Sequence, residues 1–210
     1  MTFNLKFSEV LQGSFKPAEL NLMMVFQVNC PGCFLQGFPQ IISLQTRYQN
    51  KLSCFALSTA FEDFELNTAE NTRLLLEENI LVGETKKAFE SRGLKWEVQI
   101  PFPVLIDTMI NQQEMLRPDY IETVISNHPQ FLGVSKPELA EAKKSLQSYF
   151  THYQQCGYTF ATNLLRGTPS FILFNQRMEI LFQWFGHMDS NSIETKLDEY
   201  FVLNSGDKQE

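Results

Sequence analysis

The chain has 210 residues, 43% of them hydrophobic and 20% charged, with a net charge of −7. That composition supports an ordinary hydrophobic core and excludes a chain dominated by disorder. The acidic balance also excludes a nucleic-acid partner, because phosphate recognition needs clustered Lys and Arg, and the longest basic cluster is Lys86-Lys87.

No stretch approaches the roughly 18 apolar residues needed to span a bilayer, so no membrane partner is expected. Met1-Thr2-Phe3-Asn4-Leu5-Lys6 lacks the basic and apolar regions of a secretion signal. The expected compartment is the cytoplasm, or the periplasm if the sequence is a trimmed mature form. No repeat, low-complexity tract or Pro/Gly/Ser-rich linker divides the chain, and one domain over 1–210 is the economical reading. Nineteen Phe residues point to an aromatic core.

Phe3 to Leu11 alternates loosely and predicts an edge strand before a turn at Gly13-Ser14. Leu22 to Val28 is nearly continuous in apolar residues, the pattern of a central strand covered on both faces. Cys30-Pro31-Gly32-Cys33 follows, then a helix whose apolar face carries Phe34, Phe38, Ile41 and Ile42. Pro39 predicts a kink in it. Leu52 to Ser58 predicts a second strand, and Asn67-Thr68-Ala69-Glu70 a helix capped at Asn67 with Leu74 to Leu76 on its buried face. Phe102 to Asp107 reads as a short strand ending at an acidic turn. The region from about 110 to 166 reads as mostly helical, its clearest helix opening at Ser135-Lys136-Pro137-Glu138 with Leu139, Ala142, Leu146, Tyr149 and Tyr153 along one side. Ser170 to Phe174 and Met178 to Phe185 predict a hairpin. A last helix, capped near Ser190 or Ser192, buries Ile193, Leu197, Tyr200 and Phe201. The order gives an α/β fold with a mixed central sheet flanked by helices.

The chemistry concentrates at Cys30 and Cys33. A thiol attacks a disulfide only as its thiolate. Cys30 sits where a buried strand meets a helix, and the unpaired amides and dipole of a helix start are worth up to about 2 kcal/mol to a partly buried anion. At about 1.4 kcal/mol per pKa unit, this lowers a thiol from about 8.5 to around 7. Cys30 is therefore the candidate nucleophile. Cys33, almost one turn on, faces the same side and is the candidate resolving thiol. Pro31 suits the first helical position, and Gly32 keeps the turn open to a polypeptide. Cys54, Cys156, His128, His152 and His187 are scattered without ligand spacing, so no metal is expected. Cys54, mid-strand, is read as a small core residue, and Cys156, near a helix end, is left open with a plain structural role favoured.

With these elements in order, the chain resembles the thioredoxin superfamily in its redoxin or TlpA-like branch. The carriers are Val25-Phe26-Gln27-Val28-Asn29-Cys30-Pro31-Gly32-Cys33, Phe102-Pro103-Val104-Leu105-Ile106-Asp107, Gly167-Thr168-Pro169-Ser170-Phe171-Ile172-Leu173-Phe174, and Gly186. The resemblance implies a thioredoxin-like fold with a helical insertion at about 110–166, before the proline hairpin. It implies a cis Thr168–Pro169 bond facing the cysteines, with Pro31, Gly32, Thr168 and Pro169 bordering the substrate. The implied activity is thiol–disulfide exchange with protein substrates and a role in cell redox homeostasis. The cytoplasmic direction is reduction, with a recycling reductase as second partner and no cofactor beyond the redox-active Cys30–Cys33 pair. Asn29 replaces the family's usual aromatic residue, and Met24 stands where many members carry a buried acid. Two rivals are a peroxiredoxin-like thiol peroxidase, which shares the Phe102 to Asp107 strand, and a non-enzymatic module that binds a partner.

Overall fold

The computed structural model describes residues 1–205. In chain order its strands are β1 (Phe7–Gln12), β2 (Leu20–Phe26), β3 (Ser53–Ser58), β4 (Val104–Asp107), β5 (Met109–Asn111), β6 (Gln155–Gly157), β7 (Ser170–Asn175) and β8 (Ile180–Phe185). Its helices are α1 (Phe38–Tyr48), α2 (Ala69–Glu78), α3 (Gly83–Glu90), α4 (Gln112–Met115), α5 (Pro118–Asn127), α6 (Lys136–Phe150), α7 (Tyr158–Thr162) and α8 (Ser190–Ser205).

Every residue of β2 is buried, as its near-continuous apolar run requires, and β2 lies inside a six-stranded sheet of order β1-β4-β3-β2-β7-β8. The β2–β3 and β3–β4 pairs are parallel, whereas β1–β4, β2–β7 and β7–β8 are antiparallel. Strand alternation splits the core in two. Met24, Phe26, Ala56, Val104 and Phe171 face Phe38 and Ile41 of α1 and Ile193 and Leu197 of α8. Met23, Val25, Phe55, Leu105 and Ile172 face the segment between β4 and β7, meeting Val124, Leu146, Phe150 and Phe160. Among the described residues no helix is long and apolar enough to cross a membrane.

Several local expectations shift. The chain does not simply kink at Pro39. It opens a π-turn over Cys33–Gly37, closed by the Phe38 N–H on the Cys33 carbonyl, and resumes as α1. Pro39 then falls in the first turn of a new segment, where a missing N–H costs nothing. The α2 cap is Thr68, whose hydroxyl accepts the Asn71 N–H at 3.0 Å, and Asn67 is used elsewhere. Asp189 caps α8, accepting the Ser192 N–H at 3.1 Å. The Ser135–Glu138 capping box forms as the spacing predicts. The buried stripe of α6 then passes through Leu146 and Phe150, leaving Tyr149 exposed. Residues 110–166 also hold a two-stranded β5–β6 ladder, whose three-residue strands are too short to carry a period.

The insertion is tied to the sheet through Asp107. This buried carboxylate accepts the Thr59 hydroxyl at 2.8 Å and the N–H groups of Thr159 at 2.9 Å and Phe160 at 3.3 Å. The sequence reads Asp107 as an acidic turn. Its partners lie 48 or more residues away, so its burial is set by tertiary structure.

Candidate active site

The helix after β2 begins at Pro31, which leaves Cys30 in the capping position and Cys33 as the third helical residue. The Cys30 sulfur takes the place of a capping oxygen: the Cys33 N–H donates to Cys30 Sγ at 3.3 Å. Across from it, the Cys30 thiol reaches the Thr168 carbonyl, also at 3.3 Å. The Thr168–Pro169 bond is cis, so Thr168 and Pro169 stand against the cysteine turn. A Cβ on Gly32 would lie 3.8 Å from the Pro169 ring, so Gly32 leaves that side of the turn uncrowded.

Cys30 is partly exposed and Cys33 is fully buried. The Cys30 thiol is lowered to about 7, foremost by the hydrogen bond from the Cys33 thiol. The Thr168 side chain and the Cys33 and Gly32 amides add to this against the cost of burial. Cys33 moves the opposite way. Burial raises it most, and its hydrogen bond to Cys30 and the Cys30 charge raise it further. One sulfur is thus set to ionise near neutrality while its neighbour keeps its proton.

The packing beneath the pair is apolar. A side chain on Gly37 would overlap Met24 and press on Pro169, so glycine lets the π-turn settle against both. Met24 offers no proton. The polar groups at the site are Thr168 and Gln27: the Thr168 hydroxyl lies 3.3 Å from Gln27 Oε1, and Gln27 Nε2 donates to the Glu62 carbonyl at 3.3 Å. Cys54 and Cys156 are buried free thiols pushed up by desolvation, outside this cluster. Among the described residues no three His, Cys, Asp or Glu side chains converge as metal ligands.

The arrangement can be set beside known proteins. No protein-family model matches the chain, and no curated protein sequence matches it either. Solved structures do. A thiol-disulfide isomerase from Corynebacterium glutamicum superposes with a TM-score of 0.56 at 18% identity, over 95% of this chain and 94% of that one. A thioredoxin-like superfamily protein superposes at 0.55 and 16% identity, over 95% of each chain. The fold is thioredoxin-like.

Within that thioredoxin-like frame, one residue has a role that no sequence signal announced. Asn29 clamps the turn ahead of Cys30. Its Oδ1 accepts the Glu84 N–H at 2.6 Å, its Nδ2 donates to Asp63 Oδ2 at 2.8 Å, and its own N–H donates to Asn67 Oδ1 at 2.9 Å. Val82, at the start of α3, has no side-chain oxygen, so Asn29 supplies the cap from outside the helix. The close approach depends on Gly83, at a φ of +49°, where any Cβ would strike the Asn29 amide. Thr85 completes the clamp by donating to the Val28 carbonyl at 2.7 Å.

Proposed function

We propose that this protein is a thiol–disulfide oxidoreductase that exchanges a Cys30–Cys33 dithiol/disulfide with protein substrates and runs as a reductant. The observation that carries the reading is the pair's asymmetry: a partly exposed sulfur lowered to about 7 beside a buried one held as the thiol. A thiol whose pKa lies near ambient pH is the best attacker, since a lower value weakens the nucleophile and a higher one depletes the thiolate. A strongly depressed thiol pKa stabilises the dithiol and makes an oxidant. A value near 7 leaves that stabilisation small, which supports reduction. The name of the Corynebacterium relative, a thiol-disulfide isomerase, agrees with this class of chemistry.

In the proposed cycle Cys30 thiolate attacks one sulfur of a substrate disulfide, forming a mixed disulfide and releasing the other sulfur as a thiolate. Cys33 then gives up its proton and attacks Cys30 Sγ, which releases the reduced substrate. Two electrons have left the protein, and the Cys30–Cys33 disulfide awaits a recycling reductase. Pro31, Gly32, Thr168 and Pro169 border the substrate in this reading, and no cofactor beyond the two cysteines is needed. A reducing compartment such as the cytoplasm suits the direction.

The test is turnover of a protein disulfide with a dithiol as recycling reductant. Cys30→Ser should abolish turnover, and Cys33→Ser should accumulate a covalent substrate adduct on Cys30, visible by intact mass. Full turnover by Cys30→Ser sinks the proposal.

A further inference from the structure

Beside the proline loop lies a trough that the chemistry above leaves unused. Two adjoining cavities, of about 290 and 640 Å³, share Gln130, Leu164, Leu165 and Arg166 as a common wall. One end is bounded by Ser170 and Phe185, which pair across β7 and β8 directly after Pro169. The other runs along α6 over Leu146 and Tyr149 to Tyr153, just beyond the end of the helix. The trough therefore extends from the edge of the cysteine site onto the insertion.

Its walls are open and mix aromatic and aliphatic side chains with polar ones such as His128, Gln130 and Gln183. Phe185 is 52% exposed and Tyr149 is 38% exposed. Tyr149 and Tyr153 pack edge to face at 5.3 Å and join their hydroxyls at 2.9 Å, which makes a rigid aromatic bank. Leu164 takes a left-handed φ of 49°, rare outside glycine, at the point where the chain leaves α7. Beyond it Leu165 is buried and Arg166 is exposed. Among the described residues Arg166 has no hydrogen-bond or ion-pair partner. The lining contains no Asp or Glu, on a chain with 24 acidic and 17 basic side chains. An unpaired guanidinium among aromatic walls, on an otherwise acidic protein, is complementary to a carboxylate beside an apolar group.

We infer that this trough seats the segment flanking the target cysteine of the substrate polypeptide, with an apolar side chain against Leu146, Leu165 and Tyr149 and an Asp or Glu against Arg166. The inference rests on the reading of Cys30–Cys33 as an exchange site, and it deepens that reading by naming the substrate class. Arg166 lies two residues before Thr168, whose carbonyl faces Cys30 Sγ at 3.3 Å. An extended segment advances roughly 3.3 Å per residue, so the acidic residue belongs about two to four positions from the target cysteine.

The experiment uses the full chain and pairs of disulfide-linked peptides that differ only in Glu or Lys at the second, third or fourth residue from the cysteine, each with a Phe beyond. The readout is the ratio of kcat/KM for the Glu peptide to that for the Lys peptide, so any general loss of activity in a variant cancels. At low salt the native protein should favour Glu by about three- to fivefold at one of these positions, as a solvent-exposed ion pair allows. The ratio should shrink toward one in high salt and fall below one in Arg166→Glu. A native ratio of one at all three positions overturns the inference, as does a ratio unchanged by Arg166→Glu. So does a concentration-dependent dimer that Arg166→Glu dissolves, because a second copy of the chain would then fill the trough. If the native protein turns over neither peptide, the exchange reading itself has failed. Turnover without charge preference removes the trough alone.

Discussion

Cys30 and Asp107 lie at the same end of one sheet, Cys30 just beyond β2 and Asp107 closing β4, and each turns its side chain onto the amides of a starting helix. Asp107 has donors at shorter range, one hydroxyl and two amides at 2.8 to 3.3 Å, whereas the Cys30 sulfur is served by the Cys33 thiol, the Thr168 side chain and amides of which the Cys33 N–H lies at 3.3 Å. Hydrogen-bond length alone would make Asp107 the better-stabilised anion. The order is reversed, with Asp107 pushed up to about 6 and Cys30 drawn down to about 7. Burial makes the difference. Asp107 is 1% exposed, and its desolvation outweighs every donor around it. Cys30 keeps contact with water, and there the Cys33 thiol bond exceeds the desolvation cost. A helix entry yields a reactive anion only where solvent shares the charge. At the deeper position the same motif serves as a structural tie.

The strongest way to break this comparison is through stability against pH. The folded-state value of Asp107 lies above its ordinary 3.8, so the folded protein holds the proton more tightly than the unfolded chain does. Its contribution is fully present below about pH 4 and is lost as the pH rises through about 6, a change of roughly 3 kcal/mol. Other carboxylates slope the opposite way, since Asp189 and Glu138 are held low by hydrogen bonds from Ser192 and Ser135. The measurement is therefore a difference. Urea unfolding of the native protein and Asp107→Asn at pH 4 and pH 7 should show the native protein losing about 2 kcal/mol relative to the variant, since at pH 4 part of the change has already occurred. A difference that stays flat would mean the donors, not burial, govern Asp107.

A second experiment sharpens the Cys30 side. The largest influence lowering Cys30 is the Cys33 thiol, ahead of the helix amides. Cys33→Ala removes that donor and leaves the backbone N–H in place. The pH midpoint for alkylation of Cys30 should climb from about 7 by about one unit, near 1.4 kcal/mol. An unmoved midpoint would assign the anion to the helix start, and the contrast with Asp107 would then rest on exposure alone.

The two regions also differed in how far the sequence revealed them. β2, the cysteine turn and the α6 capping box could be read because their determinants are local: an unbroken apolar run, a three-residue spacing, a serine with its glutamate. The tie at Asp107 and the clamp at Asn29 could not. Their partners lie between 34 and 55 residues away, and a lone Asp or Asn at a strand end carries the same letters as a solvated turn. The π-turn is illegible for a related reason, since a proline announces a disturbance but not which backbone bond absorbs it.

Asn29 offers the smallest predicted effect and the finest test. Asn29→Ala frees the Glu84 N–H and the Asp63 carboxylate, both at exposed positions where water can replace the lost partner. The loss should cost about 1 kcal/mol in urea unfolding, the usual value of an outside cap. The Cys30 alkylation midpoint should stay at about 7, because the groups that lower that thiol are Cys33, Thr168 and Gly32 and none belongs to the clamp. Stability and thiolate character would then be separable one residue apart. If the midpoint climbs with the loss of stability, the clamp is holding the sulfur at the depth where solvent and amides balance. Position would then join exposure as a second control on which helix entry becomes reactive.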